Sequence, residues 1–153
     1  MQIRKQGKFT SARKLVGLVA ASGVAAVGLL SPAPAQAKVQ ETCFAPLGCL
    51  WHDRNFNGDA KQLDRSVPDL HPEGHGDKAH SLWNKSPYWM VLFADKNYRG
   101  SCISIKPAGY RGTPSRVWDL SAYETGGDDW GDRVSSVQFF QIKPEVCPEV
   151  GSG

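Results

Sequence analysis

The chain has 153 residues, with 18 Lys and Arg, 15 Asp and Glu, and four cysteines. Its formal charge of +3 owes its sign to Arg4, Lys5, Lys8, Arg13 and Lys14, which stand at the start with no acid among them. Without residues 1–37, thirteen basic side chains face fifteen acidic ones, a balance near −2. No basic cluster further along replaces that charge, which excludes a nucleic-acid or anionic-lipid surface as the expectation.

In chain order, the basic start leads into an apolar run over 15–30, then Ser31-Pro32-Ala33-Pro34 and Ala35-Gln36-Ala37. Basic, apolar, small-x-small is the order of a cleavable secretory signal. The run is diluted by Gly17, Ser22, Gly23 and Gly28 and falls short of the roughly 20 apolar residues of a membrane span. Residues 1–37 are thus predicted to be a signal peptide, and residues 38–153 a single secreted domain with no membrane attachment after cleavage. Cys43, Cys49, Cys102 and Cys147 all fall in that domain, and an even number in a small exported chain reads as a disulfide framework. Three pairings are possible; proximity favours Cys43–Cys49, which leaves Cys102–Cys147. Zinc ligation usually shows two close pairs, and only Cys43 and Cys49 are close here.

The domain contains an internal repeat. Trp51-His52-Asp53-Arg54-Asn55-Phe56-Asn57-Gly58 is echoed by Phe93-Ala94-Asp95-Lys96-Asn97-Tyr98-Arg99-Gly100. Val67-Pro68-Asp69-Leu70 is echoed by Val117-Trp118-Asp119-Leu120, and Gly76-Asp77-Lys78-Ala79-His80-Ser81 by Gly131-Asp132-Arg133-Val134-Ser135-Ser136. Alternation around Cys49 to His52 and Val137 to Phe139 argues for strands. Prolines at 46, 68, 72, 87, 107, 114, 144 and 148 divide the chain too finely for helices of ordinary length. The glycine closing each aromatic-x-Gly turn supplies positive φ, so the hairpin folds back and its aromatic packs on the sheet. The expectation is an all-β sandwich with one repeat over about 43–86, a second over about 90–142, and a short C-terminal tail.

The spacing aromatic, four residues, aromatic, x, Gly, carried by Trp51, Phe56, Gly58 and by Phe93, Tyr98, Gly100, with a later Asp-x-x-(Ser/His)-Ser element, resembles the Greek-key motif of the βγ-crystallins. Joined to the Cys-x5-Cys-Leu-Trp opening, it resembles more closely the actinobacterial peptidase inhibitor family I36, whose founding members inhibit metalloproteinases. The resemblance covers about residues 43–141. It implies a βγ-crystallin-like sandwich of two Greek keys, stapled by disulfides.

The resemblance also implies sites. A βγ-crystallin calcium site would map onto Asp132, the Arg133 carbonyl and Ser135 in the second unit. In the first unit it would map onto Asp77 and the Lys78 carbonyl, with His80 where a hydroxyl is expected. Gly76 and Gly131 stand where the family places a leading acid or amide, and each such departure removes an oxygen from an ion that takes six to eight. An inhibitory contact is implied around Cys102 and Ile103, although Pro107 and no cysteine follow where the founding inhibitors have one.

Asp53-x-Asn55-x-Asn57-Gly58 imitates an EF-hand loop. In the second copy, however, ligand positions become Arg99 and Lys106, and β patterns cannot supply the flanking helices. His71, His75 and His80 fall in a Pro- and Gly-containing loop, where solvated imidazoles are expected. Most of the five tryptophans are assigned to the core, with Tyr88-Trp89-Met90 and Tyr123 to Trp130 as candidate exposed clusters. No hydrolase elbow, zinc-protease helix or phosphate loop occurs, so a non-enzyme is predicted. The functional expectation is a secreted, monomeric inhibitor of an extracellular peptidase that requires no cofactor. The alternatives are a calcium-binding or envelope-associated structural module and a toxin-like secreted protein on the same scaffold.

Overall fold

The computed structural model describes residues 42–112 and 115–151; the expected signal peptide lies outside the described residues. Nine strands form in chain order: β1 Gly48–Trp51, β2 Ala60–Leu63, β3 Ser81–Asn84, β4 Trp89–Asp95, β5 Arg99–Ile105, β6 Arg116–Val117, β7 Glu124–Thr125, β8 Asp128–Asp129 and β9 Ser136–Phe140. Three single 3-10 turns join them, at Arg54–Phe56, Tyr110–Gly112 and Leu120–Ala122. The described residues contain no α-helix, as the proline spacing requires.

The strands make two principal sheets, ordered β2-β1-β3-β6 and β5-β4-β9, with β7 and β8 as a separate hairpin. The repeats are visible here, since β1, β2 and β3 of the first correspond to β4, β5 and β9 of the second. They do not form separate sheets, however. β6 comes from the second repeat and pairs with β3 of the first, through Leu82 opposite Val117. In return, Val67 of the first repeat exchanges both backbone hydrogen bonds with Val137 of β9, at 2.8 and 3.0 Å. The echoed Val67-Pro68-Asp69-Leu70 and Val117-Trp118-Asp119-Leu120 segments are therefore the points at which each unit crosses to its neighbour's sheet.

Alternation decides what each sheet buries. Leu50, Leu63, Leu82 and Val117 enter one core with Met90, Leu92, Ile103, Ile105 and Val137. Residues on the opposite face of the first sheet, Cys49 and Trp51, join Cys43 and Phe56 in a smaller cluster against which Trp83 packs. Trp89, Met90 and Trp130 are buried, whereas Tyr88 and the Gly126 to Asp129 turn of the two clusters expected at the surface are exposed. Trp89 and Met90 belong to the central strand of their sheet, and the Trp130 indole N–H donates to the Thr125 hydroxyl at 2.8 Å. Trp118 is 45% exposed.

The hairpin tips fold as the repeat predicts. Asn55, Phe56 and Gly58 take positive φ, as do Asn97, Tyr98 and Gly100. A Cβ on Gly58 would lie 2.7 Å from an Asp53 carboxylate oxygen, and on Gly100 2.5 Å from that of Asp95, so only glycine fits. In the first tip the Ser81 hydroxyl accepts from the Phe56 N–H (3.0 Å) and donates to the Asp53 carbonyl (2.6 Å). Ser136 does the same for the Tyr98 N–H (3.1 Å) and the Asp95 carbonyl (2.6 Å).

Two disulfides close the described chain, Cys43–Cys49 and Cys102–Cys147, the pairing favoured by spacing. The second pins the C-terminal tail to β5, the outer strand of its sheet. There the Ser104 N–H donates to the Pro148 carbonyl (2.8 Å) and the Val150 N–H to the Ser104 carbonyl (2.9 Å). The edge strand is thus covered where it would otherwise offer unpaired backbone groups.

Candidate functional site

The loops singled out for calcium lie where the repeats meet. Asp77 and Asp132 both take positive φ, which brings the Asp77 N–H to the Val134 carbonyl (2.9 Å) and the Asp132 N–H to that of Ala79 (3.2 Å). Two side-chain pairs cross between the units. The Ser135 hydroxyl donates to one Asp77 oxygen at 2.7 Å, and the His80 ring nitrogen Nδ1 lies 3.2 Å from Asp132. Arg133 turns away, donating to the Thr125 and Asp128 carbonyls, and Lys78 is exposed.

Each loop is filled by a cationic or cation-capable group of the chain itself. His71 stands in the first, Nδ1 2.8 Å from Asp69 and Nε2 2.9 Å from the second Asp77 oxygen. Its backbone N–H also reaches Asp69 at 2.9 Å, and Lys96 pairs with the other Asp69 oxygen at 3.1 Å. Hydrogen bonds to Asp77 and then Asp69 push the His71 pKa up, and the backbone N–H of His71 leads the groups that hold Asp69 down. In the second loop Arg54 lies 3.1 Å from Asp119 and donates to the Ser121 hydroxyl at 2.8 Å. Burial alone would raise Asp119, but hydrogen bonds from Ser121 and the charge of Arg54 hold it lower.

The first loop's carboxylate is already engaged within the chain. Both Asp77 oxygens are engaged by donors, Gly76 and Gly131 offer no side-chain oxygen, and a Cβ at Gly76 would meet the His71 ring at 2.4 Å. No group of three His, Cys, Asp or Glu suited to a metal occurs among the described residues. The histidines are not the solvated loop residues expected from sequence. His71 bridges two carboxylates, the His75 and His52 rings meet nitrogen to nitrogen at 2.8 Å, and His80 bonds the His52 carbonyl at 2.8 Å. Burial, then repulsion from His52, lowers the His75 pKa.

The other implied site is also placed. Ile103 is fully buried in the main core and Cys102 is half-buried in its disulfide. The backbone of neighbouring Ser104 is already engaged by the tail, which leaves the Ile103 side chain no surface to offer a partner.

What the surface does present is the loop closed by Cys43–Cys49. Phe44, Ala45 and Pro46 are exposed, Phe44 by 60%, while Cys43 and Cys49 at its base are buried. The Leu47 N–H donates to the Phe44 carbonyl (2.9 Å), the Lys85 N–H to the Leu47 carbonyl (2.9 Å), and the Lys85 ammonium to the Cys43 carbonyl (2.8 Å). Beside it runs an alternating row of cations and rings. Lys85 lies 4.0 Å from the Trp83 ring centroid, and Arg116 lies 5.6 Å from that of Trp83 and 4.6 Å from that of Trp118. Cys43 and Cys49 were legible as a staple; that three exposed residues would project from it depends on sheet packing.

Two crossed Greek-key units with self-filled interface loops define a βγ-crystallin-like domain. Among solved structures, one titled for the evolution of the eye lens βγ-crystallin domain fold matches with TM-score 0.53 at 21% identity, covering 64% of this chain and 88% of that one. A βγ-crystallin from Ciona intestinalis is 27% identical over 61% of this chain and 98% of its own, with TM-score 0.49. No curated protein matches. The model of peptidase inhibitor family I36 matches residues 36–105, the first repeat and the β4–β5 hairpin of the second. The chain is thus similar to that family over residues 36–105, and its fold is βγ-crystallin-like.

Proposed function

We propose that the protein acts outside the cell as a monomeric, non-catalytic inhibitor of an extracellular peptidase, a metalloproteinase in the first instance, by presenting a rigid surface to the enzyme's cleft. The family match over residues 36–105 carries this reading. Rigidity supports it, because a segment held in its bound shape loses little conformational entropy on binding. Two disulfides and the exchanged strands supply that rigidity. Export fits the oxidised cysteines, and no helix among the described residues is long and apolar enough to cross a membrane.

The test is to titrate the domain of residues 38–153 into thermolysin-like and subtilisin-like peptidases, with calorimetry against calcium alongside. Saturable loss of peptidase activity is expected, with the domain recovered intact. If no peptidase is inhibited at micromolar protein and calcium raises the melting temperature, the structural-module reading takes its place.

A further inference from the structure

We infer that the Cys43–Cys49 loop is the inhibitory contact, with Phe44 as its anchor in an apolar specificity pocket of the target peptidase; this rests on the inhibitor reading above. Aromatic side chains at the centre of an interface carry much of its binding energy. Phe44 combines exposure with a tethered backbone: it is 60% exposed, yet it follows a 4% exposed half-cystine, and its own carbonyl is tied back to the Leu47 N–H. A disulfide spanning six positions closes the loop, and the Lys85 ammonium fixes the Cys43 carbonyl beneath it. The anchor is therefore ordered before any partner arrives.

The setting selects the partner. Phe44 is followed by Ala45 and Pro46, both exposed and uncharged, so neither sets a charge against entry into an apolar pocket. Against the loop lies a hollow of about 450 Å³ lined by Ala45, Trp83, Lys85 and Arg116, where a rim segment of the enzyme can rest. Its two cations favour an acidic rim. Ile142 and Val146 are more exposed than Phe44, but both stand on chain that follows β9 and neither is enclosed by a short crosslink.

The experiment compares the parent domain with Phe44→Ala, Phe44→Leu and, as a control, Ile142→Ala. Inhibition constants are measured against a thermolysin-like peptidase and a chymotrypsin-like one, both with apolar pockets, and a trypsin-like one whose pocket carries an acid. Melting temperatures verify folding. Phe44→Ala is expected to weaken inhibition of an apolar-pocket enzyme by at least about 30-fold, the loss that marks an interface hot spot. Phe44→Leu should keep most of the inhibition, and Ile142→Ala all of it. If the parent inhibits and a folded Phe44→Ala variant inhibits within about threefold of it, the Phe44 assignment is wrong while the inhibitor reading stands. Inhibition confined to the trypsin-like enzyme has the same meaning. A parent domain that inhibits none of the three overturns both.

Discussion

Ser81 and Ser136 are both fully buried, and each hydroxyl serves two backbone groups of a hairpin tip that has left the strand ladder. Removing one oxygen strands a buried N–H and a carbonyl together, at about 1–3 kcal/mol. Ser81→Ala is therefore expected to lower the unfolding free energy by that amount in urea titration, and Ser136→Ala by a similar amount. An unchanged midpoint would mean that the tips do not depend on these hydroxyls. This level was legible in the sequence, because the aromatic-x-Gly turn and the paired serines recur in both copies. The histidines were not. His71 meets Asp69 two residues away and Asp77 six residues away only because the intervening chain doubles back, with Gly74 and Asp77 at positive φ. Spacing along the chain does not report such a return.

Among elements, the loop carrying His71 and the tail carrying Cys147 hold parts of the sandwich that strand pairing leaves loose. Folding raises the His71 pKa, so its contribution is complete below the ordinary imidazole value of 6.5 and is lost as pH climbs through the raised value. Folding lowers the His75 pKa, so the opposite holds: its contribution is complete above 6.5 and is lost as pH falls through the lowered value. Melting temperature measured from pH 5 to 9 should decline on both sides. His71→Gln should flatten the alkaline limb and leave the acid one, with His75→Gln doing the reverse. An alkaline limb that persists in His71→Gln would exclude the carboxylate clamp as its source. At the tail, a Cys102→Ser, Cys147→Ser pair opens a crosslink spanning 45 positions and should cost roughly 2–5 kcal/mol. Hydrogen exchange offers a sharper check, because the Ser104 and Val150 amides should lose protection while those inside β4 keep it. The tail's return to β5 was foreshadowed only by the cysteine pairing, since one parallel bridge at Ser104 has no sequence period.

For the whole molecule, duplication made the architecture readable before the coordinates: two copies of one strand pattern demand two like sheets. What duplication could not tell is which chain segment completes which sheet. Val67 and Val117 occupy echoed positions, and both cross over, so each sheet is completed by the other unit. A partition of sequence into 43–86 and 90–142 is thus not a partition of the structure. Pro87, exposed between β3 and β4, is the natural place to divide the chain, yet the first half alone would lack β6, the second would lack the Val67 bridge, and each would expose its side of the central core. Separately produced segments 38–86 and 88–153 should therefore remain unstructured alone and regain strand circular dichroism only when mixed, as a one-to-one complex. Two chains that meet this way need no linker, and a single-unit ancestor could have lived as a pair of identical subunits before its gene was doubled.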